Sequence, residues 1–419
     1  MKRALVLSGG GAKGSYQYGV WKALRKLNIK FDIVTGTSIG AVNGAMIVLG
    51  DYKKAGYVWE TLNTEDVFYL DYDLTTKEGK KKFYFGVAKS LFLEGGLETT
   101  KMEDIFRQYI NEDKLRDSSI DYGIVTYSFT KKKPVMISKK DIPKGKLIDY
   151  IVASATCFPV VKPKEIDNEK YLDGGYYDNM PVDLALEMGA DEIIAVDLKA
   201  VGVKRKYDRH INIKLISPSV DIGSFLSFTK KEAKFRMAIG YNDTLKAYDK
   251  LDGDKYSFYK GQLNYNYLNL NDGYINNFKN YFVNKSDSLK KIFDAPLLTK
   301  FKDKLSSDTN IKHIFNDNIE EIGKIYNIDI TKIYLINKFY DIMFDRILKF
   351  NSKENQKIVN CLYHLIVDCN NKKINSLLLQ SPKDFMLSFY ILTVYQKMNF
   401  VKRLIFKNNL KKKVENGDN

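Results

Sequence analysis

Cysteine and histidine are scarce in this chain of 419 residues. The three cysteines, Cys157, Cys361 and Cys369, form no CxxC pair and no even disulfide framework, which points to a reducing compartment. Cys157 falls in the apolar stretch Ala153–Val161 and reads as a core residue. The three histidines, His210, His313 and His364, stand at no metal-ligand spacing, so neither a metal nor another cofactor is expected. Long apolar runs are also missing. The longest near the C-terminus, Phe385–Tyr395, is broken by Ser388 and Thr393 and falls short of the roughly 20 residues that span a bilayer. Lys2 and Arg3 precede only a short apolar run before glycines begin, too little for a signal peptide. The expectation is a cytoplasmic protein that meets membranes, if at all, at their surface.

What is present begins with an uneven charge. Residues 1–200 hold 29 Lys+Arg against 28 Asp+Glu, and residues 201–419 hold 38 against 23. A basic back portion suits an anionic partner, whether membrane, nucleic acid or acidic protein, unless scattered lysines are simply abundant; contact with an anionic membrane is expected, and nucleic acid is not. The length allows two domains. Composition changes after Asp252, where Asn, Tyr, Lys and Asp take over, and glycine nearly vanishes between Gly323 and Gly417. Residues 1–252 therefore read as one domain and residues 253–419 as a mostly helical accessory region without a chemical motif. Helical spacing marks Ile330–Phe350 and Ile358–Val367, and Lys411–Asn419 reads as a frayed tail.

In the front domain, Ala4–Leu7, Ile33–Thr35, Tyr122–Ser128, Val135–Ser138, Glu192–Asp197 and Ile211–Ile216 read as strands, mostly separated by helical patterns. That alternation predicts an α/β fold, a largely parallel sheet covered on both faces. Asp66–Gly96 reads as irregular, either an aromatic lid or a packed insertion. Thr100 and Glu103 form a capping box for a helix over Met102–Ile110.

Three short segments carry the chemistry. Gly36-Thr37-Ser38-Ile39-Gly40 has the form GxSxG between a strand and a small-residue helix, the setting of a nucleophile elbow. Gly9-Gly10-Gly11-Ala12-Lys13-Gly14 follows the first strand and can turn backbone N–H groups toward an anion, either a phosphate or a tetrahedral oxyanion. Asp173-Gly174-Gly175 places a carboxylate at a strand end. These segments, with Ala153-Ser154-Ala155-Thr156-Cys157-Phe158-Pro159, resemble the ordered motifs of patatin-like phospholipases over roughly residues 4–250. A softer match is the closing helix, Phe225–Tyr248.

The resemblance implies a three-layer α/β/α domain that cleaves carboxylic esters of phospholipids or other acyl lipids through an acyl-serine. Ser38 would be the nucleophile and Asp173 its base. Gly9, Gly10 and Gly11 would supply the oxyanion hole, with the Ile39 N–H as an extra donor. Gly14, Gly36, Gly40, Gly174 and Gly175 would shape the turns, and Lys13 would steady the loop or meet a headgroup. Ser8 stands where many family members have aspartate. Asp178 and Asp183 lack the following Gly-Gly and read as capping or structural.

Three other readings compete. His210 follows Asp173 in the Ser-Asp-His order of α/β-hydrolases, but lies in a charged stretch. Gly9-x-Gly11-x-x-Gly14 fits a dinucleotide fingerprint, yet Asp32 precedes the second strand instead of ending it. A non-catalytic lipid-surface module would have little reason to keep both the serine and the aspartate.

Overall fold

Ala4-Leu5-Val6-Leu7 contains no polar side chain, so a strand there must be covered on both faces. In a computed structural model, Arg3–Leu7 forms strand β1 with its last four residues fully buried. The structure describes residues 1–67, 76–94, 96–157, 160–207, 211–283, 308–369 and 371–415. It divides into two compact units, Met1–Tyr248 and Asp249–Asn419.

In the first unit β1 lies between β2 (Ile33–Thr37) and β7 (Glu192–Val196), both parallel to it. The parallel core continues to β3 (Asp121–Ser128) on one side and β8 (Ile213–Ile216) on the other. Three further strands pair antiparallel: β4 (Lys133–Ser138) and β6 (Glu169–Asp173) on β3, and β5 (Lys164–Ile166) on β6. Ala4, Val6, Ile33, Ile193 and Ala195 pack on one face against Val182 and Ala185 of a short helix. On the other face lies α2 (Ile39–Val48), with α1 (Ser15–Lys26) and the long helix Lys230–Ala247 beside it. This is a three-layer α/β/α domain with a mostly parallel sheet.

The predicted strands all form within one or two residues of the expected ends, and β5 and β6 are additional. Four local expectations change. Lys77–Glu94, read as irregular, is a helix of 18 residues; residues 68–75 and Gly95 of that stretch lie outside the described residues. The helix at Thr100 starts as expected, but it is Thr99 whose hydroxyl bonds Glu103, at 2.6 Å. The closing helix begins at Lys230, capped by Thr229, so Phe225–Phe228 lies ahead of it, with Phe225 and Leu226 in a turn. Cys157 is exposed rather than core, because helix Leu147–Ser154 ends just before it and the chain leaves the interior.

The second unit is mostly helical with a small sheet of β9 (Leu251–Asp252), β10 (Ser257–Tyr259) and β11 (Ile333–Tyr334). Its core is aromatic: Tyr274, Phe315, Phe389 and Tyr390 meet edge to face. Buried Tyr340 donates to Asn266 at 2.8 Å and Asn266 donates to Tyr390 at 3.0 Å, which satisfies polar groups that would otherwise be costly. The expected frayed tail is instead the last turn of helix Phe400–Glu415, with residues 416–419 outside the described residues. Divided at the unit boundary, charge is nearly even: 39 Lys+Arg against 32 Asp+Glu, then 28 against 19. Among the described residues no helix is long and apolar enough to cross a membrane.

Candidate active site

Strand β2 ends at Thr37 and α2 starts at Ile39, so Ser38 alone makes the turn between them. Its φ of 57° and ψ of −129° are rarely adopted by L-residues and store strain at a single position. The surrounding packing holds it there. A Cβ on Gly36 would lie 2.3 Å from the Gly40 carbonyl oxygen, and one on Gly40 2.2 Å from that of Leu7, so neither position admits a side chain. From the side, the Ser38 N–H donates to Ser154 Oγ at 2.9 Å, and Ser154 Oγ donates to the Val125 carbonyl at 2.6 Å. Ser154 is thus a positioning residue for the elbow.

Asp173 ends β6, where it pairs with Thr126 of β3. This brings it to the same end of the sheet as Ser38. Its carboxylate is buried, and Oδ1 accepts the Gly175 N–H at 2.7 Å. Gly174 is pressed against the Val125 carbonyl, where a Cβ would come within 2.2 Å. Burial pushes the Asp173 pKa up to about 6; the facing Ser38 hydroxyl and the Gly175 N–H act in the opposite direction. Asp178, close by in sequence, accepts the Met180 N–H at 3.0 Å, and burial raises it to about 7. Asp183 pairs with Arg205 at 3.0 Å.

The glycine loop lies against the elbow: a Cβ on Gly9 would sit 2.9 Å from Ser38 Cβ. The three expected oxyanion donors are not equivalent. The Gly9 N–H already donates to the Asn179 carbonyl at 3.1 Å. Among the described residues no acceptor takes the N–H of Gly10, Gly11 or Ile39. Gly14 packs on Ile39, and Lys13 is half-buried without an ion pair among the described residues. Ser8 ties the loop to the end of β7 by accepting the Leu198 N–H at 2.9 Å. Below the loop, Gln17 donates to the Ser8 carbonyl at 2.7 Å and accepts from Asn43, which in turn accepts from Trp59.

Arg236, buried at 1% exposure on the closing helix, is a residue that sequence reasoning missed. Its guanidinium donates to the carbonyls of Ala12 (3.1 Å), Ile222 (2.8 Å), Ser224 (2.9 Å) and Ser227 (3.0 Å). The Ala12 N–H also donates to the Phe225 carbonyl at 2.7 Å. One fork therefore clamps the glycine loop to the turn and loop ahead of the helix. Nothing in the local sequence marks this arginine among the neighbouring lysines. Arg236→Met, of similar length but without donors, is expected to cost about 3 kcal/mol, because several carbonyls stay buried without a donor. Urea unfolding measures this, and an unchanged midpoint would show that the clamp is dispensable.

The dinucleotide reading has its acidic residue at the wrong end of the strand. Asp32 lies at the other end of β2 from Ser38 and accepts the Arg3 N–H at 2.9 Å. His210 lies outside the described residues, while His313 and His364 belong to the second unit. That unit has a cavity of about 640 Å³ with Lys255, Asp317, Glu320 and Glu321 among its walls, but no serine lines it.

Residues 5–186 match the family described as patatin-like phospholipase. They form a patatin-like phospholipase domain. All of the glycine loop, the elbow and the Asp173 turn fall inside this patatin-like match. The human patatin-like phospholipase domain-containing protein 6 is 32% identical over 206 residues, 46% of this chain and 13% of that protein. Lysophospholipase nte1 of Aspergillus terreus is 31% identical over 204 residues, 47% of this chain and 12% of that protein. The chain thus spans only about an eighth of the length of these curated relatives. The crystal structure of VipD from Legionella pneumophila covers 94% of this chain and 90% of its own at 15% identity, with a TM-score of 0.40.

Proposed function

We propose that the first unit is a lipid acyl hydrolase that cleaves carboxylic esters on a Ser38–Asp173 dyad. The observation that carries this reading is the strained elbow serine facing a buried carboxylate whose pKa is raised toward neutrality. A serine hydroxyl is a weak nucleophile until a base takes its proton. Ser38 Oγ attacks the acyl carbonyl while its proton passes to Asp173. The carbonyl oxygen becomes an oxyanion and accepts hydrogen bonds from Gly10 and Gly11 N–H, with Ile39 N–H at the start of α2. Collapse breaks the ester C–O bond, and the departing alcohol takes the proton back from Asp173. Water, deprotonated by the same carboxylate, then attacks the acyl-Ser38 and releases the fatty acid. Gly9 supports the loop through Asn179 rather than donating. The family and the lysophospholipase among the relatives support an acyl lipid as substrate, and three unpaired cysteines suit a cytoplasmic enzyme working at the membrane surface.

A fluorophosphonate probe tests the nucleophile. The expected result is a single adduct on Ser38 by peptide mass spectrometry, together with fatty acid release from phospholipid or lysophospholipid. A protein that stays unlabelled and inactive, or is labelled only elsewhere, would overturn the reading. Each proton transfer here runs to or from Asp173, so EDTA is expected to leave turnover unchanged. Activity lost in EDTA and restored by calcium would show a metal-dependent step.

A further inference from the structure

The segment Leu198–Tyr207, between β7 and β8, contains Lys199, Lys204, Arg205 and Lys206 and no Asp or Glu. Its backbone is built into the wall of the site. The Val203 N–H donates to the Gly175 carbonyl at 2.9 Å, and the Val203 carbonyl accepts the Asn179 N–H at 2.6 Å. A Cβ on Gly10 would lie 2.8 Å from Leu198 Cδ1 and 3.2 Å from Ala200 Cβ. The segment therefore touches the Asp173 turn and the glycine loop together.

Leu198 is buried, but two of the segment's apolar side chains face water. Val201 is 96% exposed and Val203 50%. Tyr176, directly after Gly175, is 44% exposed, and Phe225, whose carbonyl takes the Ala12 N–H, is 36% exposed. A single exposed apolar residue needs no explanation. Here four belong to backbone segments bonded directly to one site, and cations stand between them. Lys199 donates to the Pro218 carbonyl and has no ion pair among the described residues. Lys206 is exposed and has no ion pair among the described residues, whereas Lys204 and Arg205 pair with Asp197 and Asp183.

We propose that Val201, Val203, Tyr176 and Phe225 form a docking rim that seats the site on an anionic bilayer, with Lys199 and Lys206 toward lipid phosphates. This rests on the lipid hydrolase reading and adds to it the surface through which the substrate enters. Small apolar tips next to lysines suit the headgroup boundary, where burial and attraction to anionic lipid reinforce each other. A protein partner fits less well, since the centres of protein interfaces are depleted in lysine. The rim places the mouth of the site at the depth of the ester bonds, so the lipid need not cross water.

A tryptophan at the rim tests seating without relying on turnover. Val201→Trp is made in the Ser38→Ala background and mixed with vesicles of brominated phosphatidylglycerol. Native Trp21 and Trp59 are buried away from the brominated chains, so the Ser38→Ala parent measures their emission as a background to subtract. Blue-shifted, quenched emission is expected. No quenching would overturn the proposal, as would equal quenching by brominated phosphatidylcholine. In the active protein, Val201→Asp is expected to lower hydrolysis of phosphatidylglycerol vesicles about tenfold while a water-soluble p-nitrophenyl ester turns over as before. Unchanged vesicle hydrolysis would overturn the rim and leave the hydrolase standing. If wild type cleaves neither substrate, the hydrolase reading fails, and the tryptophan signal alone decides the docking.

Discussion

Ser38→Ala is expected to lower ester hydrolysis by about 10⁴-fold or more, because no other group can form the acyl intermediate. The fold should tolerate the change. Its φ of 57° is strained for alanine as it is for serine, so no strain is added. The Ser38 N–H still donates to Ser154, and the glycine contacts around the elbow do not involve the hydroxyl. Only the interaction with Asp173 disappears, and stability should stay within about 1 kcal/mol of wild type. Turnover of a p-nitrophenyl acyl ester and thermal melting together measure this. Activity that persists in protein with unaltered melting would remove Ser38 from the nucleophile role.

The turns that carry Ser38 and Asp173 were legible in the sequence because glycines mark each of them. Gly36 and Gly40 leave no room for a Cβ beside the elbow, and Gly174 leaves none beside Val125. The main parallel strands were legible too, since strands covered on both faces carry apolar runs such as residues 4–7 and 193–196. Strands β5 and β6 were not. Both are short and carry charged residues, and they exist through pairing with each other and with β3. The supporting residues were hidden for a different reason. Ser154 acts on Ser38 across 116 positions and Arg236 on Ala12 across 224, so no window of sequence contains both partners. The same distance problem concealed the prior engagement of Gly9 with Asn179. Helix Lys77–Glu94 was obscured by its dense lysines and aromatics, and Cys157 by apolar neighbours that end with a helix rather than continue into the core.

Asp173→Asn should be nearly as damaging, with turnover falling by roughly 10³- to 10⁴-fold, because an amide keeps the shape but cannot take the serine proton. The asparagine oxygen can still accept the Gly175 N–H, so the turn should survive. Changing His210, His313 or His364 to alanine should be mild, and a dead His210→Ala would instead reveal a triad. The base also has a pH signature. Asp173 must be ionised to act, and burial holds its pKa at about 6, so kcat/KM should rise with pH, reach half its maximum near that value and level off above it. Stability should run the other way. The unfolded carboxyl titrates near about 3.9, so between that pH and 6 the native state holds more protons than the unfolded chain. The contribution is complete below the unfolded pKa and is lost as pH rises through 6. Asp178, held up to about 7 by its own burial, adds a loss of the same sign and should leave a residual slope in Asp173→Asn. Rate and melting profiles on wild type and Asp173→Asn check both halves. An inflection near 6 that survives in the variant's residual activity would assign the titrating base to another group.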